Sequence, residues 1–233
     1  MKLLTAIRAA LKAAGDPERA KAMRAYMKSE MPYAGVGMPE ARRIFRDLFA
    51  TYPDGEPSRK PFEDEEAFFS DVRAIWDGAK VREERYAAIE LFTCARAKKV
   101  RTVRALPLLE HIVVTGAWWD LVDSAAPKTL EPLLDTDPKG VAPVIRKWAH
   151  SDDIWLRRSA ILSQLHKKTK TDTKLLEDVL APSLGSKEFF LAKAIGWALR
   201  QYARTDEAFV RAYLEKHRTE MAKLSVREAE KHL

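Results

Sequence analysis

The sequence predicts an all-α protein, a superhelical solenoid of antiparallel helix pairs, and two observations carry that expectation. Ala, Leu, Lys, Arg and Glu dominate a 233-residue chain that is 46% hydrophobic and 32% charged with only nine glycines, a profile of strong helix formers. Four segments also share a small-residue-plus-apolar core: "EERYAAIELF" (83–92), "WWDLVDSAAPKTL" (118–130), "IWLRRSAILSQL" (154–165) and "FFLAKAIGWALRQYAR" (189–204), whose starts lie 35, 36 and 35 residues apart. A recurring helix at that period, with another amphipathic helix between each pair, is how stacked helical hairpins look in sequence. The units are too degenerate for a tetratricopeptide or ankyrin consensus, which leaves the looser HEAT-like class.

Taken in order, Leu4, Ile7, Leu11 and Ala14 fall at helical spacing and predict a first amphipathic helix rather than a leader peptide. "TYPDGEPSRKPF" then breaks the helical pattern near 51–61, and apolar helices resume on both sides, so it reads as a loop on one compact body. "VRALPLLEHIVV", "GVAPVIRKWAH" and "TKLLEDVLAPSL" supply the intervening helices. "DEEAFFSDV" and "RTDEAFVRAYL" read as helix starts with acids at the positive end of the dipole. No stretch approaches 18 uncharged apolar residues, so no membrane association is expected.

Repeat register makes matching positions informative. Aligning Ala88, Ala125, Ala160 and Ala194 places Tyr86, Asp123, Arg158 and Ala192 at one structural position. Asp123 and Arg158 should then project side by side from neighbouring helices, with Trp119 one turn before Asp123 on the same face. Pro127 supplies no N–H to the Asp123 carbonyl, so a loosened turn is expected at the carboxylate. Two meanings stay open: a functional surface, or a structural ion pair between repeats with Trp119 in the core.

A net charge of +7 makes a polyanion such as nucleic acid the partner to test first, ordinary solubility being the alternative. The single cysteine, Cys94, excludes an internal disulfide and suits a cytoplasmic setting. His111, His150, His166, His217 and His232 are scattered, without paired ligands, so neither metal nor cofactor is expected. A phosphate-cradling glycine loop and a GxSxG stretch are both absent.

"WWDLVDSAAP", "SDDIWLRRSAILSQL", "SKEFFLAKAIGWALRQYAR", the terminal "LSVREAEKHL" and the upstream "RAYMKSEMPYAGVGMPEARR" occur in the order and spacing of the DNA alkylation repair enzymes of the AlkD type. The chain resembles that family of HEAT-like-repeat DNA glycosylases over nearly its whole length, as a single domain spanning 1–233. The resemblance implies a monofunctional enzyme that hydrolyses the N-glycosidic bond of N3- and N7-alkylated purines in double-stranded DNA. It implies that Asp123 is the catalytic carboxylate, that Trp119 and Trp197 are aromatic walls, and that Arg158, Tyr26 and Arg42 contact the DNA backbone. It further implies a concave binding face that holds the lesion in or near the stack. Gly37 and Met38 depart from the family's polar turn, which puts side-chain DNA contacts there in doubt.

The chemistry is coherent with one carboxylate. Alkylation already makes the purine cationic, so it leaves without a general acid, and Asp123 suffices to stabilise the oxocarbenium ion and orient water. Indole faces attract a cation by as much as about 2 kcal/mol where water is excluded. Arg43, Arg157, Lys167, Lys168, Lys170, Arg200 and Arg204 join Arg42 and Arg158 as expected sources of duplex affinity. Lys193 keeps a Schiff-base lyase alternative open, Trp118 and Asp120 read as structural, and a monomer is expected. The rival is a non-catalytic helical-repeat scaffold that binds DNA or protein, and Asp123 discriminates, because a carboxylate facing phosphates needs a purpose.

Overall fold

The computed structural model describes residues 2–52 and 62–233, and among these the secondary structure is helical without a strand. The all-α expectation therefore holds. The chain divides into two compact units, one ending at Leu108 and the other running from Leu109 to Leu233. The proline-rich break falls largely outside the described residues, at 53–61. The helices flanking it belong to the same unit.

The first unit contains α1 (Lys2–Ala14), α2 (Pro17–Met27), α3 (Met38–Ala50), α4 (Glu65–Asp77) and α5 (Arg82–Thr93). In α1 the buried row is Leu3, Ile7 and Leu11, so Leu3 takes the seat expected for Leu4. Positions four apart stack on one side of a helix more closely than 4, 7 and 11 require. α5 is the hub, packed by α1, α3 and α4. Its Glu83 is fully buried yet satisfied, accepting the backbone N–H groups of Ala34, Gly35 and Val36 at 2.9–3.1 Å. That carboxylate pins the chain leading into α3. Gly35 is required in this segment: its φ is +84°, and an added Cβ would lie 2.0 Å from the Asp16 carbonyl oxygen.

The helix α6 (Leu106–Gly116) spans the unit boundary. The second unit continues with α7 (Trp119–Thr136), α8 (Pro138–Ala149), α9 (Ile154–Ile161), α10 (Thr173–Leu180), α11 (Phe189–Ala203), α12 (Glu207–His217) and α13 (Lys223–Ala229). Aspartates punctuate it: Asp137, Asp153, Asp172 and Asp206 each cap the backbone N–H groups opening α8, α9, α10 and α12. α7 packs on α9 and α9 on α11, while α8 packs on α10 and bridges α7 to α9. These contacts build two layers, with α7, α9 and α11 in one. They are the last three of the four recurring segments, so the period read in sequence is the spacing of neighbouring helices in one layer.

α7 continues as a helix through Pro127 and Pro132 rather than opening at Asp123. Burial of Leu121, Val122, Ala125, Ala126, Leu130 and Leu133 holds the helix across the missing donors. Gly196 on α11 permits a close crossing, since an added Cβ would meet Glu228 Cβ at 2.4 Å and the Ser225 carbonyl oxygen at 2.7 Å. The Ser225 hydroxyl donates to the Ala192 carbonyl at 2.9 Å and fixes the register of α13 on α11.

Candidate active site on helices α7, α9 and α11

The repeat register places Asp123 opposite Arg158, and the structure joins them. Arg158 donates from Nε to Oδ1 and from Nη2 to Oδ2 of Asp123, both at 2.7 Å, a two-pronged charge-assisted contact. Its Nη1 donates to the Phe190 carbonyl at 2.5 Å, so one guanidinium ties together α7, α9 and α11. The Arg158 side chain is 5% exposed and that of Asp123 14%. The carboxylate is thus held at the edge of the packed interior with a small open aspect. Burial pushes its carboxyl above the ordinary aspartate value of 3.8; the Arg158 guanidinium opposes that shift and the Asp120 charge adds to it.

Trp119 is half-buried, one turn before Asp123. Its neighbour Trp118 serves a different purpose. The ring of Trp118 lies 6.0 Å from that of Trp155 and 5.4 Å from that of Phe190, and Trp155 and Phe190 are 4.9 Å apart. Three successive layer helices therefore meet at their N-terminal ends in one aromatic cluster, and the Phe190 carbonyl that receives Arg158 belongs to it. Trp197 is half-buried against the core of this unit.

The expected DNA-binding cations divide sharply. Arg204 caps the C-terminal end of α11 and is exposed, as are Arg43 and Lys168. Arg42 is 55% exposed while touching Glu90 at 3.1 Å. Tyr26 is 79% exposed on α2. Others are committed internally: Arg157 to Ser183 and the Pro182 carbonyl, Lys167 to Asp135, and Arg158 as above. Arg200 donates to Glu228 at 2.6 Å. Sequence could not separate these groups, because internal ion pairs depend on carboxylates 28 to 35 residues away.

Glu228, unmarked in sequence except within the terminal block, anchors α13 to α11. It accepts from Lys193 at 2.8 Å, Lys231 at 2.7 Å and Arg200 at 2.6 Å while only 3% exposed. Lys193 foremost, then Lys231 and Arg200, hold its carboxyl down at about 2 against the opposing effect of burial. A depressed folded-state value gives stability that is present above 4.5 and is lost as pH falls toward about 2. Glu228→Gln should lower stability by roughly 2–3 kcal/mol at neutral pH. Urea denaturation of both forms at neutral pH and near pH 2 checks this; the difference should close at the acid end.

Among the described residues, no group of three or more His, Cys, Asp or Glu side chains is arranged to hold a metal ion. No described helix is long and apolar enough to cross a membrane.

A search of curated protein sequences finds none that matches. A solved structure titled as a predicted DNA alkylation repair enzyme from Enterococcus faecalis superposes with a TM-score of 0.80 at 28% identity, covering 94% of this chain and 96% of that one. The family model described as DNA alkylation repair enzyme matches residues 7–233. With a helical fold shared along almost its whole length and a family match over all but its first six residues, the chain belongs to the DNA alkylation repair enzyme family.

Proposed function

We propose that this protein is a monofunctional DNA glycosylase that hydrolyses the N-glycosidic bond of N3- and N7-alkylated purines, such as 3-methyladenine and 7-methylguanine, in double-stranded DNA, the first step of base excision repair. The observation that carries the reading is the Asp123 carboxylate, fixed by both prongs of Arg158, one turn from Trp119, with a small open aspect. In this role Asp123 stabilises positive charge on the deoxyribose as the bond breaks and orients the attacking water. Trp119 and Trp197 supply faces for the cationic base and sugar.

Arg158 serves as a positioning residue, since its three nitrogens are engaged within the protein. Duplex affinity falls instead to exposed cations, with Arg204, Arg43 and Arg42 foremost and Tyr26 beside the backbone. The Lys193 amine is engaged by Glu228 at 2.8 Å instead of standing as a free nucleophile, which supports simple hydrolysis over a Schiff-base lyase reaction. The protein would act as a monomer of one HEAT-like-repeat domain, in the cytoplasm alongside its DNA.

Incubation with methylated duplex DNA tests the reading by liberated base: release above the spontaneous rate supports it, and DNA binding without release overturns it. The acid limb of base release should lie above 3.8, because burial raises the Asp123 carboxyl and only its ionised form stabilises the sugar cation. Single-turnover rates measured down to pH 4 check this, with correction for spontaneous depurination.

The completeness of the Asp123–Arg158 pair also suits a second reading, in which the pair is purely structural and the protein is a non-catalytic scaffold for DNA or protein. The same release assay separates the two.

A further inference from the structure

We infer that Glu228 is a positioning residue for Trp197: by drawing Lys193 and Arg200 to itself it keeps both cations off the indole and leaves that ring to positive charge on the substrate. The inference rests on the glycosylase reading above.

Register brings these residues together. Asp123, Arg158, Lys193 and Glu228 follow one another at 35-residue steps, one each on α7, α9, α11 and α13. The first two form the ion pair that holds the carboxylate, and the last two pair at 2.8 Å. Lys193 lies one turn before Trp197 on α11 and Arg200 one turn after it, so both are surface neighbours of the indole. The close crossing at Gly196 sets Glu228 against this same turn.

Glu228 is saturated by its partners. One carboxylate oxygen accepts from Lys193 and from Lys231, the other from Arg200, which also donates to the Glu228 backbone carbonyl at 3.3 Å. The side chain is almost wholly covered, so it reaches the site through these cations rather than by touching substrate. Anchoring α13 would be served by cations anywhere along α11. The two that Glu228 takes are those flanking Trp197.

An indole face attracts cations, and the nearest ones are the protein's own. A long side chain three or four positions away can lay its charged end over the ring, where it would occupy the face and repel a positive purine or sugar. Glu228 opposes both effects. It holds the charged ends of Lys193 and Arg200 toward α13 and offsets one of their charges.

Fluorescence anisotropy should compare duplexes that carry, in place of one deoxyribose, either a cationic pyrrolidine or a neutral tetrahydrofuran; the ratio of the two affinities cancels the folded fraction. Wild type should prefer the cationic analogue. Glu228→Gln should cut that preference roughly fivefold. Trp197→Leu should lower it as well, and Glu228→Gln added to Trp197→Leu should lower it no further. Lys231→Met removes a partner of Glu228 that does not flank Trp197, so it should lower the melting temperature and leave the preference at the wild-type value. Should Glu228→Gln not fold, Glu228→Asp, which keeps the charge on a shorter stem, should show a smaller loss that again vanishes without Trp197. An unchanged preference in the folded Glu228 variant, an equal loss by Lys231→Met, an equal loss in the Trp197→Leu background, or a wild type without preference overturns the inference. Base release by wild type is measured alongside: release together with any of these outcomes strikes this inference alone, and absence of release strikes the functional reading with it.

Discussion

Asp123→Asn should reduce release of alkylated purine by roughly 10²–10³-fold per folded molecule, the range typical for removing one preorganised group that stabilises developing charge. Asparagine has nearly the same shape but lacks the negative charge that the proposed function sets against the oxocarbenium ion. Its amide also sets N–H donors against the guanidinium of Arg158, which both prongs now direct at carboxylate oxygens. Affinity for undamaged duplex should be nearly unchanged, because the side chain is 86% covered by protein and the proposed function assigns phosphate binding to exposed arginines. Single-turnover base release and anisotropy, with the folded fraction measured by circular dichroism, check both halves. Full activity in the folded variant would leave the Asp123–Arg158 pair as structure alone.

Arg158→Gln should have the larger effect on stability, roughly 3–5 kcal/mol, as expected when one partner of a buried ion pair is removed and the other charge stays behind. Three contacts disappear together, two to Asp123 and one to the Phe190 carbonyl, so α7, α9 and α11 lose their common tie. The opposing effect of Arg158 on the Asp123 carboxyl also disappears, and burial then acts without it. The acid limb of base release should therefore move to higher pH in any folded fraction. Arg158→Lys retains the charge without the planar fork and should fall between the two in stability and in acid limb. Denaturant titration and pH–rate profiles check these expectations. Equal stability losses with an unmoved acid limb would remove Arg158 from any role in tuning Asp123.

The meeting of Asp123 and Arg158 was legible before any coordinates because the spacing of the recurring helices carries it. Helices separated by about 35 residues pack as neighbours in one layer, so equal register positions face each other. Glu131 near the end of α7 also accepts the backbone N–H of His166, 35 residues on, in the turn that follows α9. Trp119 was placed with Asp123 by helical spacing alone. The function of Arg158 was not legible in this way, since its third contact is to a backbone carbonyl, and backbone acceptors leave no trace in residue identity.

Other features also needed the packed structure. Nothing in the spacing of basic residues separates Arg204, which stands in solvent, from Arg200, which Glu228 holds. The helix α7 runs on through Pro127, because burial along it outweighs the loss of single donors. Gly35 and Glu83 lie 48 residues apart, so their joint hold on the segment before α3 emerged only with the fold.

By itself, then, the sequence determined the helical class, the order of the repeated helices, and the pairing of Asp123 with Arg158 beside Trp119. These follow from local periodicity and from a repeat length that turns sequence offset into spatial neighbourhood. Tertiary structure alone decided how open the carboxylate is, which cations remain exposed, that the Phe190 carbonyl holds Arg158, and that Glu228 anchors α13 to α11. Exposure and charge pairing are set by every neighbour at once, and those neighbours come from chain segments too distant for any local pattern to record.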